Sequence, residues 1–264
     1  MVVSILGCGW LGIALAKDLV KQGVEVKGST TSSAKLQTLM EAGIAGSVIK
    51  LDGEEAVDAD SDFWNCDVLV IASNVKLAQN PGYHDAMRAV VTVIESKGIQ
   101  RVIFLSSISV YGEPNCIVDE DTVPAAKTAS AEQLLALEAL FNDVPEAVML
   151  RLGGLVGPGR MPGAFFAGKK NVPNGEAAVN LIHLADCIGI CKLLISASAV
   201  PRYLNAVSPD HPAKNSFYAE AATSQGLPLP EFIAEQGQWK IVNSRYIKAL
   251  GYQFKIDNWL DWIR

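Results

Sequence analysis

The sequence predicts an α/β fold in which a doubly wound parallel sheet is followed by a small C-terminal lobe. Short apolar segments of strand length alternate with amphipathic helical segments from residue 2 to about residue 152. This order requires right-handed crossovers, which place successive strands in one parallel sheet. A glycine-rich turn follows the first strand, and the alternation ends after residue 152. We therefore expect a sheet domain at residues 1–152, and the remaining strands with the small lobe at residues 153–264.

The elements of the first domain follow from apolar periodicity and from the residues that end each segment. The strands are expected at Val2–Leu6, Val24–Val26, Ser47–Leu51, Asp67–Ala72, Arg101–Leu105 and Ala147–Leu150. The helices are expected at Ile13–Gln22, Ala34–Glu41, Tyr83–Lys97 and Ser130–Phe141. Gly23, Gly43 and Gly98 follow the first three helices, where a glycine commonly ends a helix.

The second half of the chain differs from the first in composition and periodicity. Gly153–Gly175 is rich in glycine and proline and has little periodicity, which is typical of loops around a ligand. Beyond it we expect a helix at Ile182–Ile195, a strand at Arg202–Val207 and a helix at Pro212–Gln225. The tail, Trp239–Arg264, is expected to pack as short elements.

Composition excludes several classes of protein. The net charge of −6 and the lack of a basic cluster beyond Lys169-Lys170 argue against a nucleic-acid partner. No apolar run is long enough to cross a membrane, and Val2–Leu6 is too short for a signal peptide, so we expect a cytoplasmic protein. The five cysteines contain no CxxC pair, and Cys187 and Cys191 have no further ligands nearby, so no metal site is expected.

The glycine-rich turn has the spacing GxGxxG. It follows a strand and opens a helix within a βαβ unit, and in that context the motif predicts a dinucleotide site in a Rossmann-type fold. The first glycine allows the tight turn, the second lets a pyrophosphate approach the backbone, and the third lets the helix pack on the strand. The alternative is a glycine-rich turn without a ligand. The residues expected to hold the pyrophosphate of a nicotinamide dinucleotide are Gly7, Cys8, Gly9, Trp10, Leu11 and Gly12.

The segment after the second strand bears on which dinucleotide binds. An NAD-binding fold usually has Asp or Glu here, because a carboxylate accepts hydrogen bonds from the ribose hydroxyls. This chain has hydroxyl side chains between Lys27 and Lys35 and no acid, which favours the 2′-phosphate of NADP over NAD. Lys27 and Lys35 are near enough in sequence to add positive charge at this phosphate. Alternatively, the hydroxyls only cap the following helix. The residues expected at the phosphate are Ser29, Thr30, Thr31, Ser32 and Lys35.

Further cofactor contacts are expected where other strands end, because ligands of such sheets bind at the carboxyl ends of the strands. Asp52, after the third strand, is placed to reach the adenine. Ala72, Ser73 and Asn74 follow the fourth strand and should line the middle of the cofactor, and Ser106 follows the fifth.

The segment Ser106–Gly112 (SSISVYG) resembles the SSxxVYG signature of the extended short-chain dehydrogenases/reductases, the NAD-dependent epimerase/dehydratase group. Arg151–Gly159 resembles the family's R…YGPG loop, and Leu181–Asp186 resembles its V–D helix start. Asn205–Val207 and Ala249–Gly251 fit its C-terminal lobe. The resemblance covers nearly the whole chain and implies a C-terminal substrate lobe. The substrate contacts that it implies are Arg151, Gly153 and His183.

The chain departs from this family at the catalytic pair YxxxK. When the segment is aligned through Glu138, Ser130 stands where the tyrosine is expected and Leu134 where the lysine is expected. The pattern resembles atypical members that keep the cofactor fold and lose the pair. The remaining catalytic candidates are Ser107, which matches the family's serine, and Tyr111, which could supply a proton. A structural ring beneath the loop is the alternative role for Tyr111.

Two functions remain open. One is an NADP-dependent reductase or epimerase-like enzyme that acts on a small oxygenated molecule, such as a nucleotide sugar, with a non-standard acid. The other is a catalytically inactive NADP-binding sensor or regulatory protein. Many relatives in the resembled family dimerise through helices equivalent to Tyr83–Lys97 and Ser130–Phe141, so the sequence is compatible with a homodimer.

Overall fold

A computed structural model describes residues 1–53, 57–73, 80 and 82–264. Asn74, one of the expected cofactor contacts, lies outside the described residues. The strands are β1 (Val2–Leu6), β2 (Glu25–Thr30), β3 (Ala45–Val48), β4 (Val68–Ile71), β5 (Arg101–Ser107), β6 (Cys116–Val118), β7 (Ala147–Leu152), β8 (Gly154–Val156), β9 (Leu181–His183), β10 (Tyr203–Ala206) and β11 (Lys240–Val242). The helices are α1 (Trp10–Lys21), α2 (Leu36–Glu41), α3 (Tyr83–Lys97), α4 (Ala129–Ala139), α5 (Leu184–Ser196), α6 (Lys214–Ser224), α7 (Arg245–Ala249) and α8 (Trp259–Ile263).

The central sheet has seven strands in the order β10-β7-β5-β4-β1-β2-β3. β1 pairs in parallel with β2 and β4, β2 pairs in parallel with β3, and β4 pairs in parallel with β5. Because these strands run in one direction, their carboxyl ends lie along one edge of the sheet. The predicted doubly wound Rossmann-type fold is confirmed.

Several boundaries differ from the prediction for physical reasons. β2 continues to Thr30 because the polar side chains of Lys27 and Ser29 are buried and hydrogen-bonded, which the alternation pattern did not show. α1 begins at Trp10, with Gly9 as its N-cap residue, rather than at Ile13. Leu181–His183 forms β9, paired with β8, where a helix and a loop were expected.

The chain packs as two units. The first comprises residues 1–106, 128–150 and 191–203, and the second comprises residues 107–127, 151–190 and 204–264. The units therefore alternate along the chain, whereas the sequence suggested one boundary after residue 152.

Each unit has its own apolar core. In the first, α3 packs against a cluster that includes Trp64, Phe104 and Phe141, and the rings of Phe104 and Phe141 stack at 5.3 Å. In the second, Phe217 of α6 and Trp259 of α8 pack edge to face. Burying one such side chain contributes about 1.5–3 kcal/mol. Within the described part of the chain, no helix has the length and apolar composition that a membrane span requires.

Candidate functional site

The three glycines of the loop have different steric surroundings. Gly7 has a positive φ of +103°, and a Cβ there would lie 2.7 Å from the Cα of Ser73. A Cβ on Gly12 would overlap the carbonyl oxygen of Gly7. A Cβ on Gly9, by contrast, would have no described atom within 4 Å, so the space beside this residue is open. Gly7 and Gly12 are therefore required by the fold, and Gly9 leaves room for a ligand.

Ser29 accepts two hydrogen bonds from the backbone of the glycine loop. The hydroxyl of Ser29 accepts a hydrogen bond from the N–H of Gly7 at 2.9 Å, and its carbonyl accepts one from the N–H of Cys8 at 2.8 Å. Ser29 is only 2% exposed. Burial raises the pKa of the Cys8 thiol to about 12, so this thiol stays protonated. The hydroxyl of Ser29, which the sequence suggested as a phosphate contact, thus holds the loop.

The N-terminus of α1 faces this loop without a side-chain cap. The N-cap residue, Gly9, has no side chain that could cap these N–H groups, and the first turn contains no acid. The first N–H groups of a helix and its dipole together favour an anion. Open space beside Gly9 and an uncapped helix start fit the pyrophosphate of a dinucleotide.

The carboxyl end of β2 presents polar side chains without an acid. Thr31 and Lys35 are exposed and Ser32 is half-buried, whereas Thr30 is buried and its hydroxyl accepts a long hydrogen bond from the N–H of Ser32 at 3.4 Å. Because β2 lies beside β1, this end is next to the glycine loop.

Lys27 does not contribute charge to this edge, as the sequence had suggested. Lys27 is 6% exposed, and its ammonium group donates to the carbonyls of Asp62 and Asn65 at 2.7 and 2.9 Å. It also pairs with the Asp62 carboxylate at 2.9 Å, and this hydrogen bond lowers the pKa of Asp62. The role suggested for Lys27 is therefore wrong, because a strand residue so buried needs its partners nearby.

The segments after β3 and β4 reach the same edge. Ala72 and Ser73 are half-buried, and the backbone of Ser73 lies against Gly7. The hydroxyl of Ser73 is 2.6 Å from that of Tyr83. Asp52 is exposed on a segment held by Asn80, whose side-chain amide donates to the carbonyl of Leu51 at 2.7 Å.

Ser106 is turned away from this edge. Its buried hydroxyl donates to the carboxylate of Glu138 at 2.5 Å. Glu138 lies on α4. On this helix Ser130 is exposed, and Leu134 packs against the core of the first unit. The first unit thus brings together the glycine loop, the end of β2 and Ala72-Ser73, but not the side chain of Ser106.

Tyr111 lies in the interior of the second unit. Its hydroxyl donates to the side-chain oxygen of Asn205 at 3.0 Å and accepts from Nη1 of Arg151 at 2.9 Å. The ring is 1% exposed, and the Arg151 guanidinium lies 5.1 Å from its centroid. Burial raises the pKa of Tyr111, with Arg151 and Asn205 partly opposing it. This geometry favours the structural role for Tyr111 over that of a proton donor.

Ser107, the other catalytic candidate, is half-buried at the end of β5. Its hydroxyl oxygen accepts a hydrogen bond from the N–H of Ser109 at 3.1 Å and so caps a short 3-10 helix, Ile108–Tyr111. Because the oxygen acts as acceptor here, the O–H of Ser107 can still donate to a ligand.

The three expected substrate contacts are engaged within the second unit. Arg151 is 3% exposed and bound to Tyr111, and the N–H of Gly153 donates to the carbonyl of Ala206 at 3.0 Å. Nδ1 of His183 accepts from the N–H of Ala185 at 3.1 Å, and its ring contacts Trp262. Burial lowers the pKa of His183. These contacts give all three residues packing roles.

Two buried charged residues were missed at the sequence level. The buried carboxylate of Glu120 accepts hydrogen bonds from the N–H groups of Asn205 and Arg245 at 3.0 and 3.1 Å. Lys240 donates to the carbonyl of Gly112 at 2.6 Å and to Glu113 at 2.9 Å. Their partners are distant in sequence, so no local pattern distinguishes them from surface charges.

Comparison with known proteins supports the interpretation of the glycine loop. A sequence family described as NAD(P)H-binding matches residues 7–191. The chain is 38% identical over 263 residues to Protein YeeZ of Escherichia coli (strain K12), covering 96% of this chain and 95% of that protein.

Solved structures share the whole fold. A Methylobacillus flagellatus protein provisionally named NAD-dependent epimerase/dehydratase superimposes with a TM-score of 0.83 and 27% identity, over 98% of this chain and 94% of that one. The Bordetella bronchiseptica enzyme WbmG, in complex with NAD and UDP, gives a TM-score of 0.82 at 17% identity, over 99% and 91%. The fold thus resembles that of the epimerase/dehydratase group, as the sequence indicated. The match to the NAD(P)H-binding family covers more than half of this chain, and the chain therefore belongs to that family.

Proposed function

We propose that the first unit binds NADP in preference to NAD, with the pyrophosphate at residues 7–12. The observation that carries the preference is the end of β2, where Thr31 and Lys35 are exposed and Ser32 is half-buried. No carboxylate stands at this position to accept the ribose hydroxyls or to repel a 2′-phosphate. Lys35 would pair with the phosphate, and the hydroxyls of Thr31 and Ser32 would donate to it.

The size of this preference follows from hydrogen bonds to a charged group, which contribute about 1.5–3 kcal/mol each. Exposed partners keep part of their hydration, so we expect about a tenfold or larger difference in affinity between NADPH and NADH. When bound, the nicotinamide ring would give or take a hydride.

Charge reversal at Lys35 tests the proposed phosphate contact. We expect Lys35→Glu to weaken NADPH binding about tenfold or more and to leave NADH binding nearly unchanged. The matched control is Lys97→Glu, because Lys97 ends α3 and therefore lies at the opposite edge of the sheet from the strand carboxyl ends. Equal losses of affinity for NADPH and NADH, or equal losses of NADPH affinity in the two variants, would show that Lys35 does not contact the 2′-phosphate.

A second candidate function is catalysis by this fold. We propose a reductase or epimerase-like reaction on a small oxygenated substrate, with the O–H of Ser107 donating to a substrate oxygen. The supporting observation is that the oxygen of Ser107 accepts from Ser109, which orients the hydroxyl and leaves its proton available. The acid would be non-standard, since Tyr111 is engaged on both sides.

The alternative is a regulatory protein that binds NADP without turning it over. It is supported by the buried phenol of Tyr111 and by Leu134, which packs into the core where the sequence alignment expects a lysine. A screen of carbonyl substrates that follows NADPH absorbance separates the two. Turnover that is abolished in Ser107→Ala would support an enzymatic function. Tight NADPH binding without turnover of any substrate would support a regulatory function.

The proposal includes a cytoplasmic location. All five cysteines lie in the described part of the chain and none of them forms a disulfide there, which fits a reducing compartment. Fractionation of cells that express the chain would test this, and recovery outside the cytoplasmic fraction would contradict it.

A further inference from the structure

The second unit contains a cavity of about 390 Å³ between the segment that follows β10 and the segment Val242–Lys248. Its lining includes Asp119, His211, Arg245 and Lys248. Cavities of about 300–1,000 Å³ are typical of sites for small molecules. The size therefore admits a ligand, and the charges of the lining decide which kind.

The charges around the cavity are unevenly compensated. Arg245 is paired with the carboxylate of Asp121. The carboxylate of Asp119 accepts hydrogen bonds within its own turn, from the N–H of Asp121 at 3.1 Å and the hydroxyl of Thr122 at 3.2 Å. Lys248 is exposed and forms no ion pair with any described residue. Of the two cationic side chains of the lining, Lys248 is thus the one without a carboxylate partner, whereas the Asp119 carboxylate keeps its negative charge because its donors are neutral.

His211 adds a hydrogen-bonding group of defined tautomer. Its Nδ1 is 3.0 Å from the carbonyl oxygen of Val179, and because a carbonyl only accepts, Nδ1 carries the proton. Burial lowers the pKa of His211, and the nearby charge of Lys248 acts in the same direction, against Val179 and Asp210. The imidazole is therefore neutral at pH 7, and Nε2, on the opposite edge of the ring, is an acceptor.

The walls of the cavity are held in place by buried contacts. The hydroxyl of Ser244 accepts from the N–H of Val207 at 2.9 Å and donates to its carbonyl at 3.0 Å. The carboxylate of Glu120 accepts from the N–H of Arg245. A preformed wall reduces the ordering that a ligand must impose on binding.

We propose that this cavity binds a small hydroxylated anion. Lys248 pairs with its carboxylate or phosphate group, and Nε2 of His211 accepts a hydrogen bond from one of its hydroxyls. The ammonium of lysine acts as a point charge and suits either kind of anion. The site lies wholly in the second unit, and the inference does not depend on the proposed cofactor preference.

Backbone amide NMR of the full chain tests the inference locally, because amides of the cavity wall and of the glycine loop are observed separately. The probes are gluconate, glucose 6-phosphate and, as the neutral comparison, glucose. We expect either anion to shift the amides of Asn243–Lys248, and glucose to leave them unchanged. Absence of any shift there with both anions, or equal shifts with glucose, would overturn the proposal.

Variants of the exposed lysine make the test specific. Lys248→Ala should weaken the binding of the anion about tenfold, and Lys248→Arg should retain it, because the charge stays in place. Lys255→Ala, which removes an exposed lysine of the same unit outside the cavity lining, is the control and should bind like the unaltered chain. Unaltered affinity in Lys248→Ala would contradict the assignment, and the spectra themselves show whether each variant is folded.

Discussion

The hydroxyl of Tyr111 accepts a hydrogen bond from Arg151, 40 residues further along the chain, at 2.9 Å in the interior of the second unit. The same hydroxyl donates to Asn205, whose side-chain amide in turn donates to the carbonyl of Asn243. These contacts join the loop after β5 to the ends of β7, β10 and β11. Two residues that the family resemblance suggested for catalysis and substrate binding therefore stabilise the fold of this unit.

We expect Tyr111→Phe to lower the free energy of unfolding by about 1–3 kcal/mol, because the buried groups of Arg151 and Asn205 would lose a partner. Urea denaturation monitored by tryptophan fluorescence measures this. Affinity for NADPH should stay unchanged. If Tyr111→Phe were as stable as the unaltered chain but had lost a turnover that the unaltered chain shows, Tyr111 would instead have a catalytic role.

Ser29→Ala tests the support beneath the glycine loop. It removes the acceptor of the Gly7 N–H, so the loop should lose its fixed conformation. We expect NADPH and NADH binding to weaken by a similar factor, about tenfold, because the pyrophosphate is common to both. A loss confined to NADPH would show that the hydroxyl contacts the 2′-phosphate after all. Fluorescence titration distinguishes the two results.

Features whose determining contacts lie close together in sequence could be predicted, and features that depend on distant residues could not. Tyr83–Lys97 was predicted with the bounds of α3, because amphipathic periodicity and Gly98 lie within the segment itself. The glycine loop was found for the same reason. The burial of Lys27 was missed because its partners, Asp62 and Asn65, lie 35 and 38 residues away.

The second unit was harder to predict for a related reason. It is assembled from three separate stretches of the chain, and Asn205 and Tyr111 are 94 residues apart. A motif such as SSISVYG identifies a family segment, but it does not show which of its side chains face the interior.

Stability should fall in mild acid because two half-buried histidines are held in their neutral forms. The pKa values of His183 and His211 are lowered by burial, so the folded state favours their neutral forms. This contribution is complete above their usual pKa of 6.5 and is lost as the pH falls through the lowered values. Urea midpoints at pH 7.5 and pH 5 measure the effect. The double variant with His183→Gln and His211→Gln should lose less stability on acidification; an identical loss would contradict the argument.

We also propose a homodimer formed through α3 and α4. On α4, Leu137 is buried, whereas Leu135 is half-buried and Ala136 is exposed, so apolar side chains also occur away from the buried face. Leu135→Glu should convert the dimer to a monomer in sedimentation velocity, and Gln133→Glu, on the same helix, should not. A monomeric unaltered chain, or a dimer that survives Leu135→Glu, would contradict this interface.

Affinities for NADPH and NADH, measured in the unaltered chain and in Gly9→Val, test both the dinucleotide site at the glycine loop and the preference for NADP. Gly9 has an ordinary φ of −79° and open space around it, so valine should be tolerated by the fold while blocking the pyrophosphate. We expect NADPH to bind about tenfold or more tightly than NADH, and Gly9→Val to abolish binding of both while its thermal unfolding is unchanged. Equal or reversed affinities would contradict the NADP preference, and unchanged binding in a folded Gly9→Val variant would contradict the site.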